Sequence, residues 1–458
     1  MKKHILSALF LLIVLVACSD DDDFSSDQNL RLGFSADSIA FDTVFTTIGS
    51  ATKQFKIHNR NNKSLVIESA ELVNAAKSGF RMNIDGVKGT RITNLEVLKN
   101  DSLFGFVEVT VNPLDENSPV LIKDSIRFVT NGNVQYVHLE AVGQDVYIWK
   151  NRSVTKDSII TNTKPLLVYD SLVVKKGAKA TIGEGVTLYM KAEASIQVHG
   201  TLLVQGTIEN PVAIRGSRFG NIEGKIPYDN VPGQWDGIYF FPESFGNRLE
   251  NVHIRNANRS MTFYPSVADM QKAVIYNTIV HNSYDYGILA SNCRIDFTNG
   301  LFSNARGAVV ELQGGEYNFW HCTIANYFSW ASRGKESMVL AHSGTNLLDC
   351  KVTNTIIYGS LSRELLIDKA IQGDYSFINC LIRGNEQAGG NFTDIIWNTA
   401  PLFLNLNKDK DYSYNFRLQE NSPAIAAGNQ YYSQSVPYDI DGYPRLTDGS
   451  SNIGCYEH

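Results

Sequence analysis

The sequence predicts an all-β protein of two bodies, a β-sandwich followed by a solenoid of stacked strands. Three observations carry this. Strand-period alternation with an Asn-Gly turn marks residues 30–148. Short strands with single-glycine corners begin near residue 165. A six-residue pattern then recurs at steps of 22 to 30 residues from Leu249 to Ile382. Composition agrees. Of 458 residues, 43% are hydrophobic and 19% charged, with 35 Gly and 12 Pro, which excludes a disordered chain, a coiled coil and a collagen. The net charge of −6 gives no pull toward nucleic acid or an acidic membrane face.

Residues 1–17 read as a signal peptide. Lys2 and Lys3 precede an apolar run from Ile5 to Ala17, too short to span a bilayer core of about 30 Å. The run ends Leu15-Val16-Ala17-Cys18, which resembles the bacterial lipobox. That resemblance implies cleavage after Ala17 and acylation of Cys18. Ser19-Asp20-Asp21-Asp22-Asp23 follows at once and resembles the acidic surface-export signal of some Gram-negative lipoproteins. Residues 18–29 are therefore expected to be a lipidated tether. The expected location is the outer membrane, lipid-anchored and facing the cell exterior, with the membrane as a partner through the lipid.

Residues 30–148 are expected to form the sandwich. Val107, Val109 and Val111 alternate with polar neighbours, as do Ile126 and Phe128, then Val137 and Leu139. Asn131-Gly132 between the last two runs signals a hairpin, because a type I′ turn needs two residues that tolerate positive φ. Phe34, Phe41, Phe55 and Ile57 supply earlier strands. The stretch Phe55 to Leu65 and the ending Ala141-Val142-Gly143-Gln144-Asp145 resemble the immunoglobulin-like domains at the front of bacterial surface lipoproteins.

Residues 160–400 are expected to form the solenoid. Val173 to Val186 and Ile196 to Thr207 alternate short strands with glycine turns. These stretches, with Glu209-Asn210-Pro211-Val212 and Gln234-Trp235-Asp236-Gly237-Ile238, resemble the opening rungs of the right-handed parallel β-helix (pectin-lyase-like) family. The fold class expected is thus an immunoglobulin-like β-sandwich followed by a right-handed parallel β-helix solenoid. Six segments superimpose, starting at Leu249, Ile275, Phe297, Phe319, Leu347 and Phe377. Their first and sixth members are large and apolar and should point inward. The sixth members, Ile254, Val280, Phe302, Ile324, Val352 and Ile382, should stack in one interior row. The third members are Asn, His or Asp, which tolerate a tight turn and can bond from rung to rung.

Residues 401–458 read as a closing segment. Asn421 to Gly428, Asp439-Ile440-Asp441-Gly442-Tyr443-Pro444-Arg445 and Asn452 to Glu457 resemble the end of many bacterial surface β-helix proteins, although Ala426 and Cys455 depart from the usual acid and small residue. A solenoid end exposes strand edges, so this tail is expected to cap it.

No residues stand out as catalytic. Cys293, Cys322, Cys350, Cys380 and Cys455 contain no CxxC and read as buried small hydrophobes, with Cys322, Cys350 and Cys380 sharing the fourth column. His253, His281 and His321 fall in different columns, so no metal site is read. The carboxylate pairs Asp285 with Asp296 and Glu311 with Glu316 could serve a glycosidase, but no spacing selects either. Lyases of this fold family often hold calcium on clustered acids; no such cluster is visible, so no cofactor is assigned. Tyr276 and Trp320 occupy the second, outward column two rungs apart, about 10 Å, which suits two stacked sugars. The expected function is non-catalytic binding of a glycan or other surface ligand, a polysaccharide or glycoprotein. The alternatives are a polysaccharide lyase or glycosidase in an outer groove, and a structural stalk.

Changing Cys18 to Ala should leave an unlipidated or mislocalised protein on metabolic acyl labelling. Changing Asp20 to Asp23 to Ala should keep lipidation and lower protease accessibility on whole cells. Unchanged accessibility would leave a membrane anchor without surface display.

Overall fold

A computed structural model describes residues 23–458 apart from 116–117, 162, 223–224, 268, 345, 388, 408–409 and 448. Cys18, Ser19, Asp20, Asp21 and Asp22 lie outside the described residues. Asp23 is exposed and pairs with Lys63. Among the described residues no helix is long and apolar enough to cross a membrane. The chain divides into two compact units between Asp145 and Val146, and strands dominate both.

The first unit is built from ten strands: β1 (Gly33–Phe34), β2 (Ser38–Phe45), β3 (Lys53–His58), β4 (Leu65–Leu72), β5 (Phe80–Ile84), β6 (Val87–Gly89), β7 (Arg91–Val97), β8 (Ser102–Val109), β9 (Val120–Thr130) and β10 (Asn133–Gln144). One sheet runs β1-β3-β8-β5-β6 and the other β2-β10-β9-β4-β7. Their inward residues, among them Phe41, Phe55, Ile57, Phe80, Val107, Phe128, Val137 and Leu139, form one apolar core. The alternation in β9 and β10 sets this register: over 124–130 and 137–143 every second residue is buried, so a one-residue slip would turn the core face to water. The hairpin forms at Asn131-Gly132, with Asn133 paired to Thr130 and φ of 50° and 72° at the two turn residues.

The second unit is built on one 24-stranded sheet that coils on itself, with two further two-stranded sheets among the described residues. Successive strands pair in parallel with strands one turn earlier and one turn later, each turn being a rung. It starts earlier than residue 160: Tyr147–Val154 already pairs in parallel with Leu166–Val174. That first strand is mostly exposed, so it lacks the apolar alternation that marks later rungs.

Inside the coil, side chains stack in rows. Ile254, Val280, Phe302, Ile324 and Ile382 form one row and all are fully buried. Leu249, Ile275, Phe297, Phe319 and Phe377 belong to another. The Leu347 segment is a correction. Val352, not Leu347, pairs with Phe319, and Ile357, not Val352, fills the sixth position against Ile324. Leu347 itself is 65% exposed, and Cys350 pairs with Tyr317 instead of standing in the fourth column. The true rung is Val352-Thr353-Asn354-Thr355-Ile356-Ile357. The misreading arises because the strand before the corner also alternates inward and outward, so it mimics the repeat. All five described cysteines are buried and free.

The third-column residues turn the chain. Asn251, Asn277, Asn299, His321, Asn354 and Asn379 all adopt left-handed φ, between 46° and 51°. Asparagine tolerates this region better than other side chains with a Cβ. Their amides bond along the coil: Asn277 Nδ2 donates to Asn251 Oδ1 (3.2 Å), and Asn299 Nδ2 to Asn277 Oδ1 (2.9 Å).

The tail lies along the flank of the coil, not across its end. Phe403, Phe416, Leu418, Ile440, Ile453 and Cys455 bury against the outward apolar residues Leu301, Ile356 and Leu381 of successive rungs. The chain then runs back down the asparagine ladder. Asn379 Nδ2 donates to Ala427 O (3.3 Å), Asn354 Nδ2 to Asn429 O (3.1 Å), and Asn299 Nδ2 to Tyr438 O (2.8 Å). His321 Nε2 meets Ser433 Oγ at 3.0 Å. The physical reason for this placement is the stripe of outward apolar side chains in the fifth column, which must be covered.

Phe302 sits edge-on to Phe297, ring centroids 5.6 Å apart. Phe302→Ala should cost about 3–5 kcal/mol in urea unfolding, through lost burial and a cavity. Loss of under 1 kcal/mol (roughly the cost of an exposed change) would refute its interior position.

Burial also acts on the imidazoles of His253 and His281. It pushes His253 down to about 4 and His281 down to about 3, with Arg255 adding to both. Below about pH 6.5 the unfolded chain binds protons at these sites that the folded chain refuses. Stability should therefore fall as pH drops from about 6.5 toward 4. His281→Gln should flatten that fall in urea midpoints measured across this range, and an equally steep fall in the variant would refute the assignment.

Candidate functional site

The coil alternates inward and outward, so an aromatic residue placed after an inward one reaches solvent. Val198, Phe240 and Phe263 stack inward on three successive rungs, the two phenylalanines face to face at 4.4 Å. The residue after each is His199, Phe241 and Tyr264, and these share an outer column. His199 stacks on Phe241 at 4.0 Å and 18°, and Phe241 meets Tyr264 at 5.3 Å. Tyr239, two residues before Phe241, stacks on Tyr264 at 6.5 Å and 22°. Four rings thus form one platform, roughly 10 Å long over two rung steps. All are partly solvent-accessible, and Tyr264 is 37% exposed.

Polar groups frame the platform. Tyr239 Oη donates to Asp236 Oδ1 (2.8 Å); burial, then this bond, raise the phenol far above its usual range, so it stays protonated. Arg259 Nε donates to Asp285 Oδ2 (2.8 Å), which holds the guanidinium charged. His199 Nδ1 lies 2.7 Å from Glu243 Oε1. Further along the same columns come Ser291 and Gln313, and Leu289 and Glu311. There Ser291 Oγ donates to Gln313 Oε1 (3.0 Å), and Gln313 Nε2 to Glu311 Oε1 (2.9 Å). Lys335 Nζ donates to Glu311 Oε2 (2.6 Å) and to Tyr286 Oη (3.0 Å). Burial works against the Lys335 ammonium, but Glu311 and Tyr286 outweigh it and raise its pKa. The face therefore passes from rings to a hydrogen-bonded polar network.

Lys272 lies wholly inside, beneath this face. Its ammonium donates to the Phe241 carbonyl and sits 5.4 Å over the Phe245 ring. Burial pushes it down to about 8.

The columns read from sequence lie elsewhere. Tyr276 and Trp320 are both partly solvent-accessible, on a different face from the ring platform. Burial raises the Tyr276 phenol, with Glu250 adding to it. Their column flanks the asparagine ladder, which the tail covers. The carboxylate pairs do not come together. Asn292, with φ 42°, turns the strand between Asp285 and Asp296. Gly314 and Gly315, with φ 67° and 96°, do the same between Glu311 and Glu316. Asp296 accepts from Asn318 (2.8 Å), and Glu316 faces Arg294 (3.5 Å). Among the described residues no group of three or more His, Cys, Asp or Glu could hold a metal. The ring platform lies outside the six-residue repeat around the asparagine corner, so that repeat does not reveal it. The signal was an aromatic or His following each of Val198, Phe240 and Phe263.

No protein-family model and no curated protein matches the chain. Among solved structures it shows a distant likeness to a family 123 glycoside hydrolase from Clostridium perfringens, studied for glycolipid glycan hydrolysis. The identity is 6% and the TM-score 0.19, over 26% of this chain and 30% of that one. A likeness of the same order links it to a PapD-like (ASH) domain of human CEP192, at 7% identity and TM-score 0.18, over 28% of this chain and 90% of that domain. The chain spans under a third of the hydrolase's length.

Proposed function

We propose that this protein is an outer-membrane surface lipoprotein, anchored through Cys18, that binds a glycan without turning it over. On this reading an immunoglobulin-like sandwich precedes a right-handed parallel β-helix, and the outer face of the helix carries the site. Parallel strands joined by crossovers favour the right-handed sense. The observation that carries the function is the column His199, Phe241 and Tyr264 with Tyr239 beside it. Flat ring faces take up the apolar faces of sugars, and the framing Asp236, Arg259 and Asp285 offer acceptors and donors to hydroxyls. A chain of sugars lying along the coil would meet rings first and the Gln313–Glu311–Lys335 network next.

The carboxylates on this face are engaged: Asp236 by Tyr239, Asp285 by Arg259, Glu311 by Lys335. A lyase base must accept a proton, and Lys335 is held protonated. Both points favour binding over turnover.

The full chain should retain a glycan on an array and release no new reducing or unsaturated ends. Tyr264→Ala should weaken that binding about tenfold, about 1.4 kcal/mol, with an unchanged melting temperature. Trp320→Ala should leave the affinity intact. New chain ends would move the protein to the enzyme class. Equal affinity in Tyr264→Ala, with loss in Trp320→Ala, would move the site to the other column.

A further inference from the structure

Positive charge on the first rungs of the coil gathers along one outer line. Tyr147–Val154 and Thr187–Met190 both pair in parallel with Leu166–Val174, which puts Lys150, Tyr169 and Lys191 at one outward position on three successive rungs. On the next rung Gly216 pairs with Met190, so Ser217 continues the line and Arg218 stands beside it. Both ammonium groups lie against the ring between them: Lys150 Nζ is 4.9 Å and Lys191 Nζ 5.5 Å from the Tyr169 centroid. The Arg218 guanidinium lies 5.7 Å over the Tyr228 ring. Lys150 and Arg218 are exposed, and Tyr169 and Lys191 partly so. An incoming ligand therefore reaches all four.

These cations have no counter-charge. Others on the same rungs do: Lys179 meets Asp157 (3.4 Å) and Arg215 meets Asp229 (3.0 Å). Among the described residues no carboxylate pairs with Lys150, Lys191 or Arg218. Lys191 and Arg218 act on each other instead: burial first, then the Arg218 charge, pushes the Lys191 pKa down. An anion placed between them relieves that repulsion. The rings already hold the cations in place, so little side-chain freedom is lost on binding.

The spacing says what carries the anion. Lys150 and Lys191 stand two rungs apart, about 10 Å. An extended glycan advances by roughly one sugar per rung, so the two ammonium groups meet every second sugar. The Tyr169 hydroxyl between them offers a donor and an acceptor to the sugar that intervenes. Asp170 and Glu193, both exposed, border the line just beyond Tyr169 and Lys191. They repel a membrane or a duplex, which carries negative charge across its whole face, but spare a single chain lying along the cations.

We propose that this line of cations is a binding site for an acidic glycan whose carboxylates recur on every second sugar. It uses none of the residues of the ring platform. Calorimetric titration of the full chain with hyaluronan and unsulfated chondroitin oligosaccharides, which alternate a uronate with a neutral sugar, tests it. At least one series should bind. Raising the ionic strength from about 0.01 to about 0.15 M should weaken that binding, as the Debye length falls from about 30 to about 8 Å. Lys150→Gln combined with Lys191→Gln should weaken it about tenfold. The melting temperature should hold or rise in Lys191→Gln, which removes the repulsion with Arg218. Tyr264→Ala should leave the binding unchanged, which separates this site from the platform. The proposal is overturned if neither series binds, if the double variant binds as tightly as the parent, or if malto-oligosaccharides bind equally well. Tighter binding of oligogalacturonate, of phosphatidylglycerol vesicles or of duplex DNA would overturn it too.

Discussion

Six rungs of the coil share a corner residue held in left-handed backbone geometry, and the arrangement of that flank of the second unit depends on this column of corners. A β-branched or bulky side chain would resist φ near 50°, whereas asparagine accepts it and then bonds its neighbours. Because the corner recurs at Asn251, Asn277 and Asn299, the amides stack into a ladder with each donor facing an acceptor one rung away. The ladder fixes the phase of every rung. Once it is fixed, the residues on either side are committed to interior rows or to outer columns.

The ladder leaves donors on its outer side, and the tail satisfies them. Ala427, Asn429 and Tyr438 give carbonyls to Asn379, Asn354 and Asn299, in reverse order along the coil. Gly454 completes the contact: its φ of 106° and its approach to Ile356 and Thr323 leave no room for a Cβ. His321 replaces an asparagine on this line, and its Nε2 still meets Asn354 Nδ2 (2.9 Å) and Ser433 Oγ (3.0 Å). Burial beside Arg445 holds that imidazole well below its ordinary pKa. It therefore stays neutral and keeps a lone pair for the ladder.

Covering one flank also divides the surface. The fifth-column apolar stripe lies under the tail. The ring platform lies in other columns, where outward side chains meet solvent and one another. Stacking at His199–Phe241 and at Tyr239–Tyr264 orders the rings before any ligand arrives, which lowers the entropy cost of binding.

The sequence by itself determined that the chain is almost wholly β, where the Asn131-Gly132 hairpin turns, and that a period in the twenties stacks one rung on the next. These are local matters, since period-2 alternation, turn residues and repeat spacing all act within a few residues. It also identified five of the six asparagine or histidine corners. It lost the sixth because Leu347 to Val352 carries the same inward–outward alternation as a true rung, and only the backbone angle at Asn354 distinguishes them. Tertiary structure alone decided which outward columns stay open. That choice depends on where the tail, more than a hundred residues away from Asn299, comes to rest. Burial of a side chain is set by what packs over it, and no spacing along the chain records that.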